Sequence, residues 1–279
     1  MVPIVSSDGC HWGPLEISLG SDVLTEAIFG NLAGIRAVIT GSSSGIGRAT
    51  ALEFARGGAD IVLHCRHSVE SAETLADEIR EIGRSVRLCT ADLAIEEQLE
   101  PFVTRAWDCF DGVDVWVNNA GVDLLTGEES QLEYGAKLNR LFEVDVRATM
   151  LLSRMVAERM SQAAGGSILN IGWDQADRGM AGESGELFAA SKNAVMGATR
   201  SLAASFAPRV RINCIAPGWI RTSWGETAGE YWQERVKSET PLKRWGKPED
   251  VAATARFLSS PDANYITGQV VNVNGGAVR

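Results

Sequence analysis

Two hydrophobic patterns alternate along the chain from about Leu32 to its end. Short β-branched runs, "RAVIT", "DIVLH", "SVRLC", "DVWVNN", "SILNIG", "RINCIA" and "QVVNVN", have the length and near-continuous apolar character of strands covered on both faces. Between them, residues 46–56, 69–82, 96–110, 138–160, 186–206 and 248–258 repeat apolar positions at the spacing of amphipathic helices. Strict alternation of strand and helix predicts an α/β fold in which a doubly wound parallel sheet lies between two helical layers, α/β/α, within a single domain. Residues 1–31 show mixed polarity and no period, and read as an N-terminal extension with one short helix around Asp22–Phe29. The regular domain is expected over 32–279, with no fixed-period repeat or low-complexity segment.

Composition narrows the function classes. A hydrophobic fraction of 45% over 279 residues fills a sizeable core. Acidic residues outnumber basic ones, 36 to 26, for a net charge of −10, and no basic block occurs, which argues against a nucleic-acid partner or an anionic membrane surface. No apolar run approaches the roughly 18–20 residues that span a bilayer, and the N-terminus lacks the charged start of a secretion signal. The five cysteines, at 10, 65, 89, 109 and 214, are an odd set without metal-like spacing and read as buried free thiols. A cytoplasmic, reducing location is expected. His11, His64 and His67 have no neighbours at ligand spacing, so no metal site is expected and none is read as catalytic.

The first chemistry-bearing motif is "VITGSSSGIGRATALEFA", which places Gly41, Gly45 and Gly47 between a strand and a helix. Glycines there let the backbone approach a pyrophosphate, and the helix start supplies free N–H groups and positive dipole. The spacing is GxxxGxG. With "ADL" at 91–93, "NNAG" at 118–121, "SK" at 191–192, "APGWIRT" at 216–222 and "ITGQVVNVNGG" at 266–276, the chain resembles the short-chain dehydrogenase/reductase family over residues 32–279.

That resemblance implies a Rossmann-type sheet of seven strands binding NAD(H) or NADP(H). It assigns Gly41, Ser42, Ser43, Ser44, Gly45, Ile46 and Gly47 to the dinucleotide, and Asp92 with Leu93 to the adenine edge. Asn118, Ala120 and Gly121 would lie along the ribose, Lys192 on the nicotinamide ribose, and Pro217, Gly218, Ile220 and Thr222 around the carboxamide. Asn118 and Asn119 could equally tie strands together, and Gly275 with Gly276 could equally form only a turn. At the end of the second strand the position of an acidic ribose ligand is held by Cys65, followed by Arg66, His67 and Ser68. A guanidinium beside neutral donors suits a 2′-phosphate better than a bare diol, so NADP(H) is favoured over NAD(H). The resemblance also implies a homotetramer or homodimer, assembled through the helices that begin near 138 and 186.

The catalytic positions depart from the family. Its tyrosine, four residues before the lysine, would be Phe188; its serine would be Trp173; its asparagine would be Asp145, which could also pair with Lys192. The only tyrosines, Tyr134, Tyr231 and Tyr265, lie far from this segment in sequence. Positioned acid–base catalysis contributes about 10²–10⁴ in rate, and a phenyl ring supplies none of it. Asp174 is a candidate replacement acid, with Glu183, Ser184 and Glu186 as further candidates that equally suit a helix N-terminus. Residues 219–245, the family's substrate lid, carry Trp219, Trp224, Tyr231, Trp232 and Trp245, which would line a pocket for a planar ligand or pack the lid onto the body. Trp107 and Trp116 read as core.

The leading functional reading is an NADP(H)-dependent oxidoreductase acting on a carbonyl or alcohol with an atypical proton donor, Asp174 or a bound water. A second is a catalytically impaired family member serving as a nucleotide-binding regulatory or structural partner. A third is a non-redox lyase on the same fold.

Overall fold

A computed structural model of the protein describes residues 29–278. Most of the N-terminal extension, with Cys10, His11 and the helix expected around residue 22, lies outside the described residues. Seven strands, β1 (Arg36–Ile39), β2 (Asp60–Cys65), β3 (Val86–Thr90), β4 (Val115–Asn118), β5 (Gly166–Ile171), β6 (Val210–Pro217) and β7 (Val270–Val273), form one parallel sheet. Their order is β3-β2-β1-β4-β5-β6-β7.

Strand alternation divides the core between the two faces. Ala37, Ile39, Ile61, Leu63, Val115 and Val117 point to one side. There they meet α1 (Gly45–Arg56), α2 (Val69–Glu81) and α9 (Pro248–Ser259) through Phe54, Leu75, Ile79, Val251 and Leu258. Val38, Val62, Trp116 and Ile168 point to the other side, against α3 (Leu99–Asp108) and α5 (Thr149–Gln162) through Phe102, Val103, Leu152 and Met160. Full burial of a side chain such as Phe54 contributes about 1.5–3 kcal/mol.

The helix expected over 138–160 begins earlier, as α4 (Tyr134–Leu141), and widens into a π-helical segment, Phe142–Ala148, before α5. Asp145 sits in the widened stretch and is 1% exposed. The helix expected over 186–206 is α6 (Glu183–Phe206), entered through Gly182 at φ +99. Within residues 219–245, the segment expected to act as a lid, lie two short helices, α7 (Ser223–Thr227) and α8 (Glu230–Glu239). Cys65, Cys89 and Cys214 are buried free thiols, whereas Cys109 is only half-buried because it follows the last turn of α3. No helix among the described residues is long and apolar enough to cross a membrane, and no cluster of three metal-ligating side chains occurs among them.

Candidate active site

The sheet order reverses between β1 and β4, and the loops leaving their C-terminal ends part to open a cleft. Its first chamber, about 470 Å³, is lined from β1 by Gly41, Ser43, Ser44, Gly45 and Ile46, and from β2 by Cys65, Arg66, His67 and Ser68. Asp92 and Leu93 line it after β3, Asn119, Ala120 and Gly121 after β4, and Thr222 from the lid side. Gly41 has φ +61, and a Cβ there would stand 2.8 Å from Ala120 Cα. Gly45 has φ +53, and α1 starts without a side-chain cap, so its N-terminal N–H groups face the chamber. A bare, left-handed backbone at a helix start is a cradle that fits a pyrophosphate.

His64 fastens this cradle. Its Nδ1 accepts the Gly41 N–H at 3.1 Å, which leaves Nε2–H to donate to Ala91 O at 3.1 Å. Burial pushes its pKa down to about 4, so the ring is neutral near neutral pH.

Three expected nucleotide residues do not line the cleft. Ser42 is buried, with its hydroxyl donating to His64 O and accepting the His64 N–H. Gly47 faces inward, where a Cβ would meet Gly41 O at 2.3 Å. Asn118 shares the inward face of β4 with Trp116, accepts the indole N–H at 2.7 Å, and donates to Ser153 and Asn170 at 2.9 Å. Its neighbour Asn119 reaches the chamber wall while its amide holds Thr40 O and Gly41 O.

Arg66 is not a solitary cation. Glu129 Oε1 lies 3.7 Å from Arg66 Nη1 and 3.1 Å from Arg140 Nε, and all three residues line the chamber. Sequence reasoning missed Glu129 and Arg140, because they join Arg66 only through folding of the loop before α4.

The second chamber, about 540 Å³, continues from the first through Ile46, Val122, Thr222 and Trp224, which line both. Lys192, Phe188 and Trp173 line it, as do Pro217, Gly218 and Ile220. Lys192 Nζ is 2.7 Å from Asp145 Oδ2, and Asp145 Oδ1 accepts the Val122 N–H at 2.9 Å. One carboxylate thus orients the lysine and fixes the loop after β4. Phe188 stands one helical turn before Lys192 on α6 and packs toward Val122, Leu124, Leu141 and Leu187.

Asp174, the expected replacement acid, does not line either chamber. Its Oδ2 accepts from Asn274 Nδ2 at 3.0 Å, its Oδ1 has no hydrogen-bond partner, and burial pushes its pKa up to about 6. Glu183 and Ser184 line the second chamber, but Glu183 is paired with Lys137 at 2.6 Å, and exposed Glu186 lies outside it. Of the lid aromatics, Trp219, Trp224 and Trp232 line the chamber; Trp245 is buried behind Trp219 and Trp224, and Tyr231 is exposed.

Similarity to known proteins agrees with this geometry. A family model described as enoyl-(acyl carrier protein) reductase matches residues 41–278. A 3-oxoacyl-(acyl-carrier-protein) reductase of Thermotoga maritima is 34% identical over 251 residues, covering 88% of this chain and 99% of that one. A hydroxynaphthalene reductase of Aspergillus fumigatus is 33% identical, covering 85% and 90%. The crystal structure of a short chain dehydrogenase from Burkholderia cenocepacia in complex with NADP superposes with a TM-score of 0.80 at 33% identity, covering 88% of this chain and 99% of that one. With the glycine cradle at the strand-order reversal and the matching sheet, these similarities establish that the chain belongs to the short-chain dehydrogenase/reductase family.

Proposed function

We propose that the protein is an NADP(H)-dependent oxidoreductase that moves hydride between the nicotinamide and a substrate in the second chamber, without the family's tyrosine and serine. The observation that carries this reading is the continuity of the cleft: four residues wall both chambers, so a dinucleotide seated on the glycine cradle reaches Lys192. Gly41, Ser43, Ser44, Gly45 and Ile46 would hold its phosphates, Asp92 and Leu93 its adenine, and Lys192, Pro217, Gly218, Ile220 and Thr222 its nicotinamide half. Bound there, the cofactor supplies hydride chemistry; the chain positions it and excludes water with indole and phenyl walls.

NADPH is favoured because Arg66, His67, Ser68 and Arg140 line the chamber beyond the end of β2, where two guanidiniums flank the carboxylate of Glu129. The relative crystallised with NADP supports the same choice. A fluorescence titration with NADPH and NADH tests it. Micromolar binding that favours NADPH is expected, and failure to bind either overturns the reading.

A carbonyl or alcohol substrate, expected by resemblance, would need a proton donor that neither Phe188 nor Trp173 supplies. That deficit favours a second reading, a nucleotide-binding partner without turnover of its own. A homo-oligomer through the helices beginning near 138 and 186 belongs to either reading, and Phe142 and Met150 there are 41% and 43% exposed.

A further inference from the structure

From the aromatic walls and the missing proton donor we infer that the second chamber takes a planar organic cation, an iminium, as hydride acceptor. The inference rests on the oxidoreductase reading above and names its substrate class. Three observations converge on it.

The first is the wall. Trp219, Trp224 and Trp232 line the chamber as a mutually packed set, with ring centroids 6.2, 5.5 and 5.4 Å apart, and Trp173 and Phe188 join them. Outside the chamber, Arg235 stands 4.9 Å from the Trp232 ring centroid and 5.9 Å from that of Trp219, so these rings already carry a cation on one side. Glu239 neutralises that guanidinium at 2.6 Å and accepts the Trp219 indole N–H at 3.2 Å, which fixes the rings in place. Packed electron-rich faces around a mostly apolar cavity are the arrangement that recognises organic cations.

The second is charge. The titratable side chains lining the chamber are Lys192 and Glu183. Lys192 is neutralised by Asp145 at 2.7 Å, so the lysine does not leave a bare positive charge facing a cationic guest.

The third is proton balance. Hydride addition to a ketone leaves an alkoxide, which needs the donors that Phe188 and Trp173 replace. Hydride addition to an iminium forms a C–H bond while the C=N π pair settles on nitrogen. The reduced nicotinamide is oxidised, the substrate becomes a neutral amine, and no proton is taken up or released. Ser184 and Thr222 remain as hydroxyls at the wall, but Ser184 lies two helical turns before Lys192, about 12 Å along α6, and Thr222 belongs to the nicotinamide half of the cofactor in the reading above. The residues absent for carbonyl reduction are those an iminium does not require.

The test compares N-methyl-3,4-dihydroisoquinolinium, a fixed cation, with 1-tetralone, a neutral ketone of similar shape. Without nucleotide, the cation is expected to quench tryptophan fluorescence with at least ten-fold tighter binding than the ketone. Trp224→Leu and, separately, the milder Trp232→Phe should reduce that preference. With NADPH, the cation is expected to be reduced to the tertiary amine at a rate independent of pH between 6 and 9 and without a solvent deuterium isotope effect, while 1-tetralone is not turned over. Equal or tighter binding of the ketone, faster ketone reduction, or binding of both cation and NADPH without hydride transfer overturns the inference. Cation binding in a protein that binds neither nucleotide overturns the oxidoreductase reading and the hydride step with it, and leaves a cation-binding chamber.

Discussion

Asp145 Oδ2 and Lys192 Nζ, 47 positions apart in the chain, meet at 2.7 Å with the carboxylate almost wholly buried. Removing one partner of a buried ion pair costs about 3–5 kcal/mol, because the other charge is left uncompensated. Lys192 keeps some solvent access, which places Asp145→Ala near the lower end, about 3 kcal/mol. Asp145→Asn retains an acceptor for the Val122 N–H and should lose less. Urea unfolding checks both, and equal losses would contradict the double role given to this carboxylate.

Supplying the acid that the family resemblance implies at position 188 makes a gain-of-function prediction. Phe188→Tyr puts a phenol one turn before Lys192, and Trp173→Ser clears the indole and returns a hydroxyl. The double variant should gain reduction of 1-tetralone with NADPH, at least 10²-fold above the background of NADPH consumption seen with the parent protein, the lower bound for a positioned acid. Steady-state NADPH consumption is the readout. No gain in a folded double variant would mean that the obstacle to ketone reduction lies elsewhere in the cleft.

Glu129 holds Arg66 and Arg140 together in the place proposed for the 2′-phosphate. A phosphate there must displace or repel it. Glu129→Gln is therefore expected to tighten NADPH about ten-fold while leaving NADH within two-fold, as measured by fluorescence titration. Such a change corresponds to about 1.4 kcal/mol. A parallel gain for NADH would remove the phosphate from the explanation.

Two buried groups give opposite pH dependences in one window. The folded pKa of His64, about 4, lies below its ordinary value, so the unfolded chain binds more protons and stability falls as pH drops from about 6.5 to 4. The folded pKa of Asp174, about 6, lies above its ordinary value, so the folded chain holds the proton longer and stability falls as pH rises from about 4 to 6. Each effect is on the order of 3 kcal/mol. Asp174→Asn should raise thermal stability at pH 7.5, leave it little changed at pH 4, and expose the steeper acid loss due to His64. Melting curves across pH 4–7.5 decide the matter. A variant no more stable than the parent at pH 7.5 would show that the unpartnered Oδ1 is satisfied by water.

Much of this architecture is legible in the sequence because strand burial and glycine placement are local signals. The seven apolar runs become seven strands, and the glycines of "TGSSSGIG" fall where the sheet order reverses. The direction of Asn118 was also accessible: two positions after Trp116 on one strand, it must share the indole's inward face. Other features depend on long-range geometry. Arg66, Glu129 and Arg140 converge across loops that carry no shared pattern. Asp174 follows the last residue of β5 by three positions, where strand alternation no longer tells which way a side chain turns. The widening at Phe142–Ala148, which carries Asp145 inward to meet Lys192, interrupts a helical period that sequence alone reads as continuous.

The bridge made by His64 has a consequence for how ligands are received. One neutral ring joins the glycine loop after β1 to the residue after β3, while the backbone of β2 grips Ser42. The floor of the nucleotide chamber is consequently rigid before anything enters. A loop tied down in this way before binding should add little entropic penalty to association. Calorimetric entropies of nucleotide binding should then reflect displaced water and the ligand's own lost freedom, and amide exchange at Gly41 should be slow even in the empty protein.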